Sequence, residues 1–423
     1  MNADLFTKFL STKYLRGTLP LAMVFAGGIS SVKAQVDVAL QKLGMENIRY
    51  VPTSSGGSIT AFEDRTFRSS YYGVGKALEA AVNAQKEGDI VMVVTDRNGL
   101  TQLRMGIPDE LVRGYHNGSV SMRDILCSME MSTNADREME MLKDSRNEAS
   151  GRWKPDLVVY PSVYLENSSL DKLFRYAVAI SPAIEMPLWK GAELTAQVIF
   201  PIATNQKGEL KTIRPGYVTL RQGFDLKRNW KVWGTAGLFN NNRMGGCLEA
   251  MYRSRNGRWE AGGKLGATVW SMFDNNGWAI TTKPKIDAEL YGRVYLPWWN
   301  TEITGSVNRF VYGDYGMKGE LVRHFGEYTV GVFAMLADKD FNGGFSFAIP
   351  LPGKKYSRWN GVRIKPADYF SYRYNMVAWG EYVDNKRGRY YNSDIGSNRS
   401  KGFYQPEYIR YFLLKETDRT NEK

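Results

Sequence analysis

The residues with most chemistry in them lie in one run, Lys285 to Trp298. Lys285, Asp287, Glu289, Tyr291, Arg293 and Tyr295 occupy alternate positions, and Ile286, Ala288, Leu290, Gly292, Val294, Leu296 and Trp298 fill those between. On a strand, side chains two residues apart share a face, so Asp287 and Glu289 fall within the spacing at which paired carboxyls cleave a glycosidic bond. Such chemistry also needs one carboxyl with a raised pKa, and the cations Lys285 and Arg293 on the same face work in the opposite direction. Arg221, Arg253 and Lys264 lie on the polar side of similar runs and, with Lys285 and Arg293, could meet acidic sugars. Tyr291, Tyr295 and Trp270 could stack on pyranose rings, whose C–H faces suit aromatic surfaces. The same charges could equally form an internal ion-pair network with Glu249, Glu260, Asp287 and Glu289.

Other chemistries are short of residues. Two histidines (His116 and His324) and two distant cysteines (Cys127 and Cys247) leave little for a histidine-based metal site or a Ser/His/Asp machine, and nothing for a disulfide scaffold. Gly73-Val74-Gly75-Lys76 has the look of a phosphate loop, but Ser70 stands where the leading Gly should be and Ala77 where Ser or Thr should follow. No catalytic group, cofactor or metal is expected.

The elements that would position these residues follow a period of two. Tyr176, Val178, Ile180, Ile184, Met186 and Leu188 oppose Ala177, Ala179, Ser181, Ala183 and Glu185, and Leu194, Ala196, Val198, Phe200 and Ile202 oppose Glu193, Thr195 and Gln197. The pattern returns around Leu248–Arg253, Glu260–Val269 and Gly344–Leu351. Turn clusters separate the runs, as at Asn240-Asn241-Asn242, Arg255-Asn256-Gly257, Asp274–Gly277 and Asn342-Gly343-Gly344. Trp230, Trp278, Trp298, Trp299, Trp359 and Trp379 gather at run ends, where an amphipathic ring suits a membrane interface. A wall between lipid and an aqueous lumen must alternate in this way, and 270 residues at about 20 per strand and turn allow roughly 12–14 strands. A soluble sandwich alternates too, with its apolar face hidden. The ring residues, an export signal and a polar face that mixes large charges with Gly and Ala favour the membrane wall. A last strand is expected at Tyr408–Leu414.

Composition agrees. The 423 residues are 43% hydrophobic and 24% charged with a mean hydropathy of −0.39, which excludes a polytopic helical membrane protein. Aromatics at 13% exclude a disordered chain. The net charge of +12 is spread along the chain, a pattern for anionic partners rather than nucleic acid.

Residues 1–34 read as a cleavable signal peptide. Lys8, Lys13 and Arg16 precede the uncharged stretch Gly17–Val32, and Val32-Lys33-Ala34 resembles a cleavage site before Gln35. The alternative is a single anchoring helix. No Cys follows the apolar run, so no lipid anchor is indicated. Aromatic residues then divide the chain, with seven in 35–153 and 44 in 154–423, including ten of the eleven Trp. The first of these regions reads as a small α/β unit. A helix is expected at Val36–Leu43 and strands at Asn47–Val51 and Ile59–Phe62. A second helix follows at about Tyr72–Lys86, with Val74, Leu78 and Ala81 on one face. A hairpin comes next, Ile90–Thr95 to Leu100–Met105, and then a helical stretch over Ser121–Glu148.

Three phrases, Arg214–Arg221, Gly245–Ala250 and Ala337–Phe345, together with this order of parts, resemble the YjbH (GfcD-like) family of exopolysaccharide and capsule biosynthesis proteins. The resemblance implies an outer-membrane protein of a Gram-negative bacterium that works with periplasmic or outer-membrane export proteins on a surface polysaccharide; the basic residues above would suit an acidic one. The expected fold is mainly β, a transmembrane antiparallel β-barrel (154–423) in outer-membrane lipid, preceded by a small periplasmic α/β domain (35–153). The expected role is a non-enzymatic conduit or assembly platform. A secreted soluble glycan-active enzyme and a passive porin or surface binding protein are the alternatives.

Overall fold

The computed structural model of the chain describes residues 36–96, 99–167, 174–375, 386–395 and 404–421. The expected signal peptide and Trp379 lie outside the described residues.

The α/β unit comes first. Helix α1 (Val36–Leu43) leads into strands β1 (Glu46–Pro52) and β2 (Ser58–Glu63), and helix α2 (Ser70–Ala84) crosses over to β3 (Ile90–Thr95), which pairs parallel with β2. β4 (Thr101–Ile107) returns antiparallel to β3, as the Asn-Gly pair at 98–99 predicts, although residues 97–98 lie outside the described residues. Val74, Leu78 and Ala81 are all fully buried, in a core with Ile48, Phe62 and Met92. After helix α3 (Asp109–His116), the expected single helical stretch over 121–148 breaks into four pieces. Helix α4 (Met122–Ser128) opens on a Ser121–Asp124 capping box and stops at Met129, whose backbone is extended. β5 (Glu130–Ser132), helix α5 (Asp136–Met141) and β6 (Asn147–Glu148) follow. The sheet order β5-β4-β3-β2-β1-β6 explains the break, since β5 and β6 form the sheet's two edges.

The remainder is one large sheet. Its strands are β7 (Asp156–Asn167), β8 (Phe174–Pro187), β9 (Ala192–Thr204), β10 (Arg214–Leu226), β11 (Trp230–Phe239), β12 (Arg243–Arg253), β13 (Trp259–Asp274), β14 (Gly277–Ile280), β15 (Lys285–Leu296), β16 (Thr301–Arg309), β17 (Tyr315–Phe325), β18 (Tyr328–Ala337), β19 (Asp340–Pro350), β20 (Arg363–Pro366) and β21 (Tyr369–Asn375). Each long strand pairs antiparallel with the next in sequence, and the short β14 pairs only with β13. Between β11 and β12, Asn241 and Asn242 both take positive φ (54° and 57°), the backbone that a tight hairpin requires and that Asn tolerates.

Which face is hidden decides what kind of sheet this is. In β18, Tyr328, Val330, Val332 and Leu336 are exposed, and Thr329, Phe333, Met335 and Ala337 between them are buried. In β15, Ile286, Leu290 and Val294 are exposed, Leu290 at 66%, and Asp287 opposite is 9% exposed. Lys231, Arg243, Arg253, Glu260, Glu302 and His324 are buried on the same side of the sheet as Asp287. A water-soluble sandwich would do the reverse, since each Å² of apolar surface removed from water gains about 25 cal/mol. The face that carries the large apolar side chains is therefore the exposed one.

One run of chain holds both edges of the sheet. β20 pairs parallel with β7, in register from Arg363↔Asp156 to Pro366↔Val159, and two residues later β21 pairs antiparallel with β19. The Ala367 N–H donates to the Val159 carbonyl at 2.9 Å. With β14 set aside and β20–β21 taken as one run, the fifteen strands become thirteen. In an antiparallel series the thirteenth points the same way as the first, so its pairing with β7 is parallel.

A buried ion cluster sits on this seam. Arg363 contacts Glu46 at 2.6 Å and Asp156 at 3.3 Å, Arg358 contacts Glu46 at 2.6 Å and Asp156 at 3.1 Å, and Arg65 contacts Glu63 at 2.8 Å. Burial alone would raise the Glu46 pKa, but the Arg358 hydrogen bond and the nearby guanidinium charges hold it below the usual value. The cluster ties the α/β unit, through Glu46 and Arg65, to the first residues of β7 and β20.

The expected last strand at Tyr408–Leu414 is instead part of helix α6 (Pro406–Asn421). Tyr408, Ile409, Phe412 and Leu413 are buried at helical spacing in the core of the α/β unit, where α2 offers a matching face.

Removing one cation from a buried cluster leaves carboxylates without compensation. Arg363→Met is expected to destabilise the chain by about 3–5 kcal/mol in denaturant unfolding. Lys143→Ala, at a wholly surface ion pair, should leave the midpoint in place. Equal midpoints for the two variants would contradict the role of the seam.

Candidate functional site

The polar face encloses two cavities. The first, about 390 Å³, is lined by Lys264, Asp287, Glu289, Tyr291 and Arg293 together with Lys318, Glu320, Arg373 and Tyr390. Five of the ten residues singled out in the sequence thus converge. Alternation places them, since each lies on a strand whose partner face carries Ile, Leu and Val. Arg221 lines the second cavity instead. Arg253 is buried against Glu260 at 2.5 Å, and Glu260 also takes Arg293 at 3.1 Å, which is the ion-pair network foreseen as the alternative. Tyr291 donates to Glu249 at 3.4 Å. Trp270 and Lys285 stand near the far ends of β13 and β15 and line neither cavity. Tyr295 donates to Asn300 at 2.9 Å and packs into the core of the α/β unit, so it stacks on protein. Among the described residues, no three His, Cys, Asp or Glu converge as a metal site.

Sequence reading missed the segment that occupies the space between these walls. Residues 386–395 start at the turns that face away from the α/β unit. Arg387 contacts Asp340 at 3.0 Å, the Gly388 N–H donates to Asp314 at 2.6 Å, and Asn241 donates to the Tyr390 carbonyl at 2.8 Å. Tyr391 then stacks on Phe239 with centroids 5.2 Å apart and planes 2° off parallel. Lys264 Nζ lies 3.9 Å above the Tyr391 ring and donates to its carbonyl at 3.1 Å. A Cβ at Gly266 would collide with the Tyr391 hydroxyl, so the glycine leaves room for the ring. Asp394 pairs with Arg221 at mid-strand. The chain is next described at Tyr404, which lines the second cavity, and Tyr408 donates to the Gly326 carbonyl at 2.8 Å on the opposite set of turns. Lys386–Ile395 has rings and charges without a strand period. That break in pattern was the one signal available.

The second cavity, about 400 Å³, lies where the α/β unit meets the sheet and is lined by Asp64, Arg65, Arg221, Tyr369, Asp394 and Tyr404 among others. Asp64 is half-buried there, with its Oδ2 shielded from solvent. Its Oδ1 accepts the N–H groups of Thr66 and Phe67, both at 3.0 Å. Burial pushes its carboxyl up to about 7 in spite of these bonds.

No protein-family model and no curated protein matches the chain. Among solved structures it is similar to OmpTdeltaL8, the loop L8 deletion mutant of OmpT, an outer membrane protein of Vibrio cholerae. The identity is 7%, the match covers 46% of this chain and 85% of that one, and the TM-score is 0.24. A likeness of that size carries no inference.

The pH dependence at Asp64 has a definite sign. Below about 4 the carboxyl is protonated whether the chain is folded or unfolded. From there to about 7 only the folded state keeps the proton, so stability contributed by Asp64 falls as pH rises through this window and is flat above it. Asp64→Asn, which keeps the acceptor oxygen, is expected to flatten the decline between pH 5 and pH 8 by a few kcal/mol. Unfolding midpoints at the two pH values check this, and parallel declines in parent and variant would contradict it.

Proposed function

We propose that the large sheet is a closed barrel in an outer membrane and that the chain serves the export or assembly of a surface polysaccharide, without performing a reaction. The reading is carried by the inverted polarity of the sheet, oily outside and charged inside, which suits lipid and no other common surrounding. The run Arg363–Asn375 supports closure, because an edge paired on both sides is no longer an edge. Trp189, Trp230, Trp259, Trp298, Trp299 and Trp359 are exposed along the turns on the α/β side, where headgroups would begin. No described helix is long and apolar enough to cross a membrane.

The polysaccharide half of the proposal rests on the YjbH-like phrases, which meet at the segment 386–395. Arg221 of the first phrase pairs with Asp394, Cys247 of the second packs with Tyr391, and Asp338 and Asp340 of the third pair with Arg387. Both cavities mix cations, carboxylates and tyrosines, a lining suited to a hydrated acidic sugar chain. A passive open pore fits less well, because the chain itself fills the interior at Tyr391.

The protein is expected in the outer-membrane fraction, released by detergent and shifting in gel mobility on heating. Deleting its gene should reduce surface polysaccharide in a dye-binding assay. Recovery in the soluble fraction without detergent would overturn the barrel. An undiminished polysaccharide layer would overturn the export role alone.

A further inference from the structure

We propose that residues 386–395 are a displaceable plug, latched by the Arg221–Asp394 pair, whose release makes the interior a continuous conduit for hydrated solutes. The inference rests on the barrel reading above. Its first support is position, since Asp394 lines both cavities and Arg221 reaches from Asp394 toward Glu249 at 4.0 Å. The triad Glu249–Arg221–Asp394 therefore forms the partition between a 390 Å³ space and a 400 Å³ space. With that partition withdrawn, the two spaces join from the far turns to the α/β unit.

The second support is the way the segment is held. A permanent filler would be packed like a core, with apolar side chains on all sides. This segment is seated mainly by polar contacts to turns (Arg387 to Asp338 and Asp340, Gly388 to Asp314, Asn392 to Asn240) and by two rings, Tyr391 and Tyr390, the second against Phe310, Met335 and Ala337. The Tyr391 seat is the deeper one, shaped by Phe239, Cys247 and Val311 around it and by the missing side chain at Gly266. Polar contacts of this kind can be exchanged for water or sugar hydroxyls at small net cost. The end beyond the plug is anchored, because α6 is buried in the α/β unit. Displacement would swing the segment and leave the chain's terminus in place.

The test is conductance of the purified full chain in planar lipid bilayers. The parent protein should insert and conduct little. Asp394→Ala and Arg221→Ala should each raise the open fraction about tenfold or more, which corresponds to about 1.4 kcal/mol of latch. The charge swap Arg221→Asp with Asp394→Arg should return the channel to its quiet state. Cysteines at 221 and 394, in a chain whose Cys127 and Cys247 are replaced, should hold it shut until a reductant is added. A heat-dependent gel shift shows that each variant is folded. Folded, inserted variants that stay as quiet as the parent would overturn the plug and leave the barrel standing, as would a parent that already conducts through an open lumen. Failure of every form to insert or to shift on heating would overturn the barrel itself, and the plug with it.

Discussion

The structure depends on one inversion, in which charge is gathered on the buried face of the large sheet and oil is left on the exposed one. Most long strands obey it, β18 burying Phe333 and Met335 in place of charge, and the exposed oil is costly in water. Exposed Leu290, Val330, Phe345 and Trp359 would each face solvent that rejects them. In hydrocarbon the same side chains are at home, and the backbone of each strand is satisfied by its two neighbours. The interior then has to manage its own charges, which it does by pairing, as Arg253 and Arg293 do on Glu260.

An antiparallel series of thirteen strands can meet itself only through a parallel seam. Single-chain bacterial barrels are ordinarily even in number and avoid that seam. Parallel pairing is slightly weaker per residue, and here it extends over four residue pairs before the run turns to β19. The ion cluster of Arg363, Arg358, Glu46 and Asp156 lies at the start of that short seam and reaches into the α/β unit. The small unit is thus joined to the sheet where pairing is weakest. A second tie comes from α6, whose buried face returns the end of the chain to the same unit.

Much of this was legible in the sequence because alternation is a local signal. The faces of β8, β9, β12, β13, β15 and β19 were readable from neighbouring residues, and so was the convergence of Asp287, Glu289, Tyr291 and Arg293. What escaped was long-range. Nothing near Arg363 says that its partners are Glu46 and Asp156, and nothing near Tyr391 announces Phe239 and Lys264. Tyr408–Leu414 misled because rings and branched residues suit a strand, and only the apolar face of α2 makes them a helix. Tyr295 looked like its neighbours on β15, yet its place at the strand end put it against the α/β core. The polarity of the sheet could be narrowed to two choices by pattern, and the hidden face decided between them.

The most direct measurement concerns the surroundings of the oily face. A chain with Cys127 and Cys247 replaced would carry a single fluorophore-labelled cysteine at 286, 290 or 294, or at 287, 289 or 291, in bilayers of lipids brominated along the acyl chain. The account predicts strong bromine quenching at the first three positions and weak quenching at the second three, an alternation with a period of two. Uniformly weak quenching, with the first three positions open to a water-soluble thiol reagent, would contradict it.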